Sequence, residues 1–395
     1  MTTSSRVLWR SETAVACLVY LAFGMPVAML GVAWPTLRDE LGRADGDLGV
    51  LVLAYGLGRL VTSASSGPLL VRLPYGTACA LTLVGLAAGE AWVATEPQWV
   101  ALIVAFGLIG VLSGMLDSLG ARFLAVSGSV SRAGLAAGSY GVGATVGPVI
   151  IAVTDSVVAG FLSGAVVALV AAVAVRAPAL TWPAALRLVR AAPGDAGGGS
   201  AEVISLARLL TAPAVLVSLG LFAAFVSIEV TTGGWLATVL EDARGVDDRL
   251  AGLSVGAFWG GITIGRLLLG RFDLPDRALL LGVGVLVISF TGLAVVPAPF
   301  VLPLALAAGV ALAPQFPTLL AHTGNRVGEE AAGRVSGWQL IAANVAATSL
   351  AALTGVIVAA TGPAAPLAVL VAVSVAGGVL LVLAPRVRAT IASET

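Results

Sequence analysis

Twelve stretches of this chain are long and apolar enough, or nearly so, to cross a bilayer as helices. A spanning helix needs ~20 apolar residues, because the hydrocarbon layer is ~30 Å thick and each residue adds ~1.5 Å. The pattern predicts helices near 13–37, 48–70, 75–95, 99–123, 134–157, 159–175, 213–240, 250–269, 278–296, 299–323, 335–360 and 364–384. The hydrophobic pattern therefore predicts an all-α membrane protein with twelve transmembrane helices.

A polar segment rich in Arg and Gly separates the sixth stretch from the seventh. It predicts three parts: an N-terminal six-helix bundle over 1–175, a cytoplasmic linker over 176–212, and a C-terminal six-helix bundle over 213–395. A small motif also recurs in both halves. Ala54-Tyr55-x-x-Gly58 returns as Ala257-Phe258-x-x-Gly261, a constant offset of 203 residues. Six helices plus six with internal symmetry predict two pseudo-symmetric bundles and a substrate site at the midplane between them.

Composition narrows the class of protein further. The chain is 58% hydrophobic and 11% charged, with a mean hydropathy of +1.03, which is too apolar for a soluble protein of 395 residues. No basic patch of the kind that binds nucleic acid is present. Cys17 and Cys79 both lie in apolar stretches and make neither a disulfide framework nor a metal site. We therefore expect no nucleic-acid partner, no metal and no cofactor.

Arginine placement predicts the orientation. Of the 21 basic residues, Arg59 and Arg266 lie inside predicted helices, fifteen lie on the linker side and four on the other side. Positively charged residues concentrate on the cytoplasmic side of membrane proteins, so the linker and both termini are predicted to be cytoplasmic. The apolar stretch after Arg6 and Arg10 is too long for a signal peptide, and we expect it to remain as a helix.

Glu229 stands out because it is a carboxylate inside an apolar stretch. A charge near the middle of a membrane is costly, so such an acid is a candidate functional residue. At helical spacing it shares a face with Phe225, and Trp235 follows where the helix nears the outer interface. This face can bind a small organic molecule or load a proton. The alternative is that Glu229 is neutral, or bonded to a neighbouring helix, and only holds the bundle together.

Arg59 lies ~11 residues into the second helix, close to the middle of the hydrocarbon layer. Tyr55 precedes it by one turn on nearly the same face. The planar guanidinium suits a carboxylate or a phosphate of a substrate. It can equally pair with Glu229 or Asp117, either in one conformational state or permanently.

Asp117 is a second candidate for ion coupling. It lies in the fourth helix on a face of small residues that lets a neighbouring helix or a substrate approach. The alternative is a structural ion pair with Arg72, Arg122 or Arg132. In the eighth helix, Arg266 is expected near the inner interface, where its long side chain can reach the lipid headgroups.

Three amides complete the set of candidates. Asn344 lies ~10 residues into the eleventh helix and needs hydrogen-bond partners there. With Gln315 and Gln339 it is predicted to line the C-terminal half of a cavity, although a role in helix packing explains it equally well.

Other classes of membrane protein lack their expected signals in this sequence. An enzyme needs a convergent nucleophile, base or metal set, and an ATP-driven pump needs a GxxxxGK[ST] loop. A receptor usually adds a sizeable soluble domain, and the longest loop here has none. The sequence therefore favours a secondary transporter and not an enzyme.

Several stretches resemble the major facilitator superfamily over nearly the whole chain, and within it the fucose-permease-like branch of bacterial transporters. They are Glu229 followed by TTGGW, FWGGITIGRLLLGRF over 258–272, LAPQFPTLL over 312–320, and Gly67-x-Leu69-x-x-Arg72. Two residues depart from the branch: Ala121 stands where its sugar permeases have an Asn, and Gly31 stands where they have a second functional acid.

The resemblance implies a transporter of the bacterial cytoplasmic membrane that works by alternating access. We expect a monomer that moves a small polar organic solute, sugar-like or an organic anion, with protons as the coupling ion. A proton-driven exporter of drugs or natural products is the alternative. The predicted substrate-binding residues are Tyr55, Arg59, Phe225, Glu229, Trp235, Gln315 and Asn344, and the predicted coupling residues are Glu229 and Asp117.

Overall fold

A computed structural model describes residues 3–70, 73–127, 130–177, 182, 212–269, 272 and 274–394, and nearly all of them are helical. Most of the predicted linker, residues 178–181 and 183–211, lies outside the described residues. The first bundle contains α1 (Thr3–Leu41), α2 (Leu48–Leu70), α3 (Tyr75–Val93), α4 (Trp99–Ser127), α5 (Val130–Thr154) and α6 (Val157–Val175).

Among the described residues, the second bundle contains eight helices, three of them short: α7 (Pro213–Thr238), α8 (Asp248–Leu269), α9 (Asp276–Leu293), α10 (Val301–Leu312), α11 (Gln315–Ala321), α12 (Thr323–Val327), α13 (Glu329–Thr361) and α14 (Ala365–Glu394). Short 3₁₀ turns precede α2 and α10 (Asp45–Asp47 and Ala298–Phe300), and a π-helical turn (Val239–Ala243) extends α7. Helices dominate because backbone N–H and C=O groups in lipid must be satisfied within the segment itself.

Eleven helical spans in the described part of the chain are long and apolar enough to cross a membrane. Helix α2, with 23 residues and a length of about 34 Å, is long enough to be the twelfth. The predicted all-α membrane fold is confirmed. The first helix begins at Thr3 instead of 13 and the last ends at Glu394 instead of 384, whereas the tenth span, predicted as one helix over 299–323, differs in continuity. The structure breaks this span at Pro314, because proline has no N–H to donate to the preceding turn.

The recurring sequence motif marks equivalent helix contacts in the two bundles. In the first bundle, Gly110 of α4 lies against the backbone carbonyl of Tyr55 in α2. In the second, Gly309 of α10 lies against the backbone carbonyl of Phe258 in α8, the residue that matches Tyr55 in the repeat. A side chain at either glycine would overlap that carbonyl, so these glycines set how closely the paired helices approach.

The two bundles contact each other through α1 with α7, α2 with α13, and α5 with α8. Several of these contacts lie at the end of the molecule that contains Arg38, which we call the Arg38 end. The opposite end, where α6 stops and α7 starts, is the linker end. At the Arg38 end, Gly46 and Gly49 pack against the backbone of α13 around Gly355, and Gly31 of α1 packs against Gly233 of α7.

An ionic cluster joins the bundles at the Arg38 end. The Arg38 guanidinium of α1 donates to both carboxylate oxygens of Asp242, which follows α7, at 2.5 and 3.2 Å. It also donates to Asp45 at 2.6 Å and to Asp39 at 2.9 Å. The Arg38 side chain is only 10% exposed. A two-pronged, mostly buried contact of this kind is stronger and more directional than an exposed ion pair.

Candidate functional site

A cavity of about 180 Å³ lies between the bundles, with walls from α1, α2, α5, α7, α8 and α13. This position at the interface between the two repeats is where the sequence predicts the substrate site. The lining residues are Val27, Leu30, Val52, Tyr55, Gly56, Arg59, Tyr140, Val226, Glu229, Val230, Gly233, Gly234, Trp259, Asn344, Ala347 and Thr348. Four of the predicted binding residues, Tyr55, Arg59, Glu229 and Asn344, are among them.

Glu229 lines the cavity from α7 and forms an ion pair with Arg266 of α8. The Arg266 Nη2 atom lies 2.9 Å from the Glu229 Oε2 atom, and the side chains are 23% and 16% exposed. The expectation that Arg266 serves the inner interface is wrong. A helical side chain leans toward the N-terminus of its own helix, so the Arg266 guanidinium lies deeper in the membrane than its backbone does.

Arg59 lines the cavity from α2, and its partner is Asp117 of α4. The Arg59 Nη2 atom donates to the Asp117 Oδ2 atom at 2.9 Å. The Arg59 side chain is 22% exposed and the Asp117 side chain is 50% exposed. Asp117 is not itself part of the cavity lining. The structure therefore brings Arg59 together with Asp117, and Glu229 with Arg266, so that one member of each pair faces the cavity.

Three aromatic side chains form much of the remaining wall: Tyr55 of α2, Tyr140 of α5 and Trp259 of α8. The Tyr140 and Trp259 rings meet edge to face, with centroids 6.5 Å apart. The Trp259 indole packs against Gly233, one helical turn after Glu229. Within the described part of the chain, the buried Trp259 Nε1–H has no hydrogen-bond partner, and the buried Tyr55 hydroxyl lies beside the Arg59 guanidinium. A bound solute is the natural partner for this N–H group.

Two more polar side chains lie on the α13 wall. The Asn344 Nδ2 group donates to the backbone carbonyl of Leu340 at 2.8 Å. Thr348 packs against Gly56 of α2, where a side chain would overlap it. The α2 and α13 backbones therefore approach closely beside the cavity.

The structure places the other three predicted binding residues away from the cavity. Trp235 is fully buried, and its Nε1–H donates to the backbone carbonyl of Ala351 in α13 at 3.0 Å. Gln315 is fully buried and donates to the backbone carbonyl of Leu279 in α9 at 3.0 Å. Phe225 is buried against Gly377 of α14. Each of these side chains packs between helices of the second bundle.

Gln339, the remaining amide expected near a cavity, is also fully buried. Its Nε2 group donates to Ser218 of α7 at 2.6 Å, and it shares a 3.1 Å hydrogen bond with Thr323 of α12. These bonds tie α7, α12 and α13 together at the linker end. They satisfy an amide that would otherwise be costly inside a membrane protein.

Tyr140, Trp259 and Arg266 are the site residues that the sequence reasoning missed. Aromatic residues inside apolar stretches look like ordinary core residues, and nothing in the spacing of Tyr140 separates it from its neighbours. For Arg266 a signal did exist, because, with Arg59, it lies well inside a predicted helix and its side chain leans toward mid-membrane.

Comparison with known proteins gives one family and two similar folds. The family model described as Major Facilitator Superfamily matches residues 16–351. A bacterial homolog of the human lysosomal transporter Spinster, in an inward-facing and unoccupied conformation, superposes with a TM-score of 0.65 at 15% identity, covering 98% of this chain and 97% of that one. The nucleoside transporter NupG gives a TM-score of 0.71 at 12% identity, covering 95% of this chain and 99% of that one. No curated protein matches the chain.

Proposed function

Since this chain belongs to the Major Facilitator Superfamily and is therefore a multi-pass membrane transporter and not an enzyme, we propose that it is a secondary active transporter of a small polar organic solute. The observation that carries this proposal is the central cavity, into which the first bundle presents Arg59 and the second presents Glu229. A solute bound by both residues contacts both bundles, which is what alternating access requires. Sugar-like molecules and organic anions belong to this class of solute.

The volume of the cavity favours a metabolite over a drug. The cavity measures about 180 Å³, whereas sites for drug-sized ligands usually measure ~300–1,000 Å³. The aromatic rings beside Glu229 also suit a lipophilic cation, which supports export of drugs or natural products as the second candidate. Everted membrane vesicles distinguish the two: an exporter accumulates its solute in them, and an importer does not.

The contacts between the bundles support a cavity that is closed at the Arg38 end. Helix packing around Gly355 and the Arg38–Asp242 contact seal this end. The half-exposed Asp117 carboxylate supports access from the linker end, because a charged pair is rarely turned toward lipid. With the linker and both termini in the cytoplasm, as the arginine asymmetry predicts, this is the inward-facing state of a monomer in a bacterial cytoplasmic membrane.

Within the superfamily, the residue patterns around Glu229 and over 258–272 support a place near the fucose-permease-like branch.

Proton coupling is the mechanism that we propose for accumulation. Of the two candidate acids, Asp117 suits this role better, since its carboxylate is half exposed and lies behind Arg59, outside the cavity lining. A proton on Asp117 weakens its hold on Arg59 and leaves the guanidinium free to engage the solute.

The test of this proposal uses reconstituted protein and the variant Asp117→Asn. The solute is first found by thermal shift against sugars, organic acids, amino acids and cationic drugs, because a bound ligand stabilises the folded protein. We expect Asp117→Asn to exchange that solute across the vesicle membrane but not to accumulate it when a proton gradient is imposed.

Asp155→Asn is the matched control, because Asp155 is exposed in the turn before α6 and has a left-handed backbone that Asn also tolerates. Accumulation by Asp117→Asn equal to that of the unmodified protein would remove Asp117 from coupling and leave Glu229 as the candidate. If no solute of any class is taken up by the unmodified protein, the transport proposal itself fails.

A further inference from the structure

We infer that the solute is a small zwitterion, a molecule with an ammonium and a carboxylate group, whose carboxylate binds at Arg59 and whose ammonium binds at Glu229. This inference rests on the proposed function and names the chemical class of the solute. It starts from the opposite charges that the two bundles present to one cavity. Tyr140 lines the same cavity as Arg59 and Glu229.

The Arg59 side of the cavity is built for a carboxylate. The guanidinium has five N–H donors in a planar fork, and the bond to Asp117 takes one of its nitrogens. The Tyr55 hydroxyl lies one helical turn away on the same helix and is another donor that a carboxylate oxygen can accept from. The Arg59 side of the wall therefore offers several donors to an anionic group.

The Glu229 side of the cavity is built for an ammonium group. The Glu229 Oε2 atom accepts from Arg266, and its second carboxylate oxygen has further acceptor capacity. Trp259 packs against Gly233 one turn away, and its ring meets Tyr140 edge to face. A carboxylate beside two aromatic rings attracts a cation both directly and through the ring faces.

Arg59 and Glu229 line the cavity, whereas their counter-ions Asp117 and Arg266 do not. A solute in the cavity therefore meets the charges of Arg59 and Glu229, and these two charges favour one kind of solute over the others. With a zwitterion bound, the charges alternate in sign from Arg59 through the carboxylate, the ammonium and Glu229 to Arg266. A solute with only a carboxylate would be repelled by Glu229, and one with only an ammonium would be repelled by Arg59. An uncharged solute forms no charge-assisted contact with either wall residue beyond the ion pairs already present. The arrangement therefore selects for both charges in one molecule.

The decisive experiment compares matched derivatives on the unmodified, purified protein. Free α-amino acids and glycine betaine are screened by thermal shift. The best amino acid is then compared with its N-acetyl derivative, which keeps only the carboxylate, and with its methyl ester, which keeps only the ammonium. We expect both derivatives to bind about tenfold more weakly or worse, since each loses one charge-assisted contact. Equal binding of either derivative would overturn the inference.

Two variants identify the binding groups, and Arg277→Gln, at an exposed arginine, is the control. We expect Arg59→Gln to bind the zwitterion about tenfold more weakly while discriminating less against the methyl ester, and Glu229→Gln to discriminate less against the N-acetyl derivative. A change in discrimination is a readout that mere loss of stability does not produce. Should sugars or organic anions bind while no zwitterion does, the inference is wrong and the transport proposal stands.

Discussion

At the residue scale, Arg266 gives the Glu229 carboxylate a partner of opposite charge inside the membrane. The two side chains are less than a quarter exposed and lie 2.9 Å apart. Removing one member of such a pair leaves an uncompensated charge, whereas removing both leaves a neutral site. The pair therefore makes a distinctive prediction for single and double variants.

We expect Arg266→Gln to lower the stability of the protein by about 2–3 kcal/mol, at or below the usual range for a buried pair because the site is partly exposed. The double variant Glu229→Gln/Arg266→Gln should recover part of that loss. Thermal melting of the purified proteins measures both changes, with Arg277→Gln as the exposed-arginine control. If the double variant loses more stability than the two single variants lose together, the pairing is contradicted.

The same scale shows what single residues reveal in a sequence. Glu229, Arg59 and Asn344 could be predicted at the site because a polar residue inside an apolar stretch must find a partner or a function. Trp259 could not, because a tryptophan in an apolar stretch fits the protein interior equally well. Trp235 is predicted from the sequence to bind the substrate, yet its N–H bonds to Ala351 inside the second bundle and it is not part of the cavity lining. Which helix lies opposite a side chain is not encoded in the spacing of its own helix.

At the scale of the elements, helix pairs within each bundle are held close by glycines that face a backbone carbonyl. Gly110 in α4 meets the carbonyl of Tyr55, while Gly107, one turn earlier, has only ordinary contact distance to α2. Two glycines in one helix therefore differ in a way that mutation can measure.

We expect Gly110→Ala to destabilise the protein by about 1–3 kcal/mol, because the added methyl group overlaps backbone that cannot move without shifting α2. Gly107→Ala should be neutral or slightly stabilising, since alanine is the better helix former. Thermal melting and the fraction of monodisperse protein after purification are the measurements. Equal melting temperatures for the two variants would show that α2 and α4 pack less closely than described.

Most helices could be predicted from the sequence to within a few residues, because lipid requires long apolar runs and those runs end at polar or glycine-rich loops. The second helix was predicted over 48–70, and α2 spans Leu48–Leu70. The break at Pro314 was not predicted, although proline was visible in the sequence. Prolines also lie within α1, at Pro26 and Pro35, where the helix continues. Proline alone therefore does not tell a break from a continuous helix, because neighbouring helices can satisfy the freed carbonyl.

At the scale of the whole molecule, every functional assignment depends on which end faces the cytoplasm. The prediction rests on arginine placement, which puts Asp248, the first residue of α8, outside and Asn325, in the short helix α12, inside. Both residues are exposed in the structure.

In intact cells, on a background without Cys17 and Cys79, we expect Asp248→Cys to react with an impermeant thiol reagent and Asn325→Cys to stay protected. Permeabilising the cells should make Asn325→Cys reactive, which controls for a buried or misfolded site. Labelling of Asn325→Cys alone in intact cells would reverse the orientation and turn the inward-facing state into an outward-facing one.

The closure at the Arg38 end could not be predicted from the sequence, although six helices plus six could. Arg38 and Asp242 lie in different bundles, 204 positions apart, and only the relative position of the bundles brings them together. Such contacts belong to one conformation of the transporter. A sequence pattern, in contrast, has to suit every conformation of the transporter and does not indicate which contacts belong to which conformation.

The completeness of the two ion pairs has an electrical consequence. Arg59 with Asp117 and Glu229 with Arg266 each add up to zero charge before any solute enters. Moving one elementary charge through the membrane potential changes its energy by ~2.3 kcal/mol per 100 mV, but these neutral pairs carry no net charge when the empty protein reorients. A zwitterion adds no net charge either. Under the proposed mechanism, any current that accompanies transport reports the coupled ion alone, and the ratio of charge moved to solute taken up gives the number of protons carried with each solute molecule.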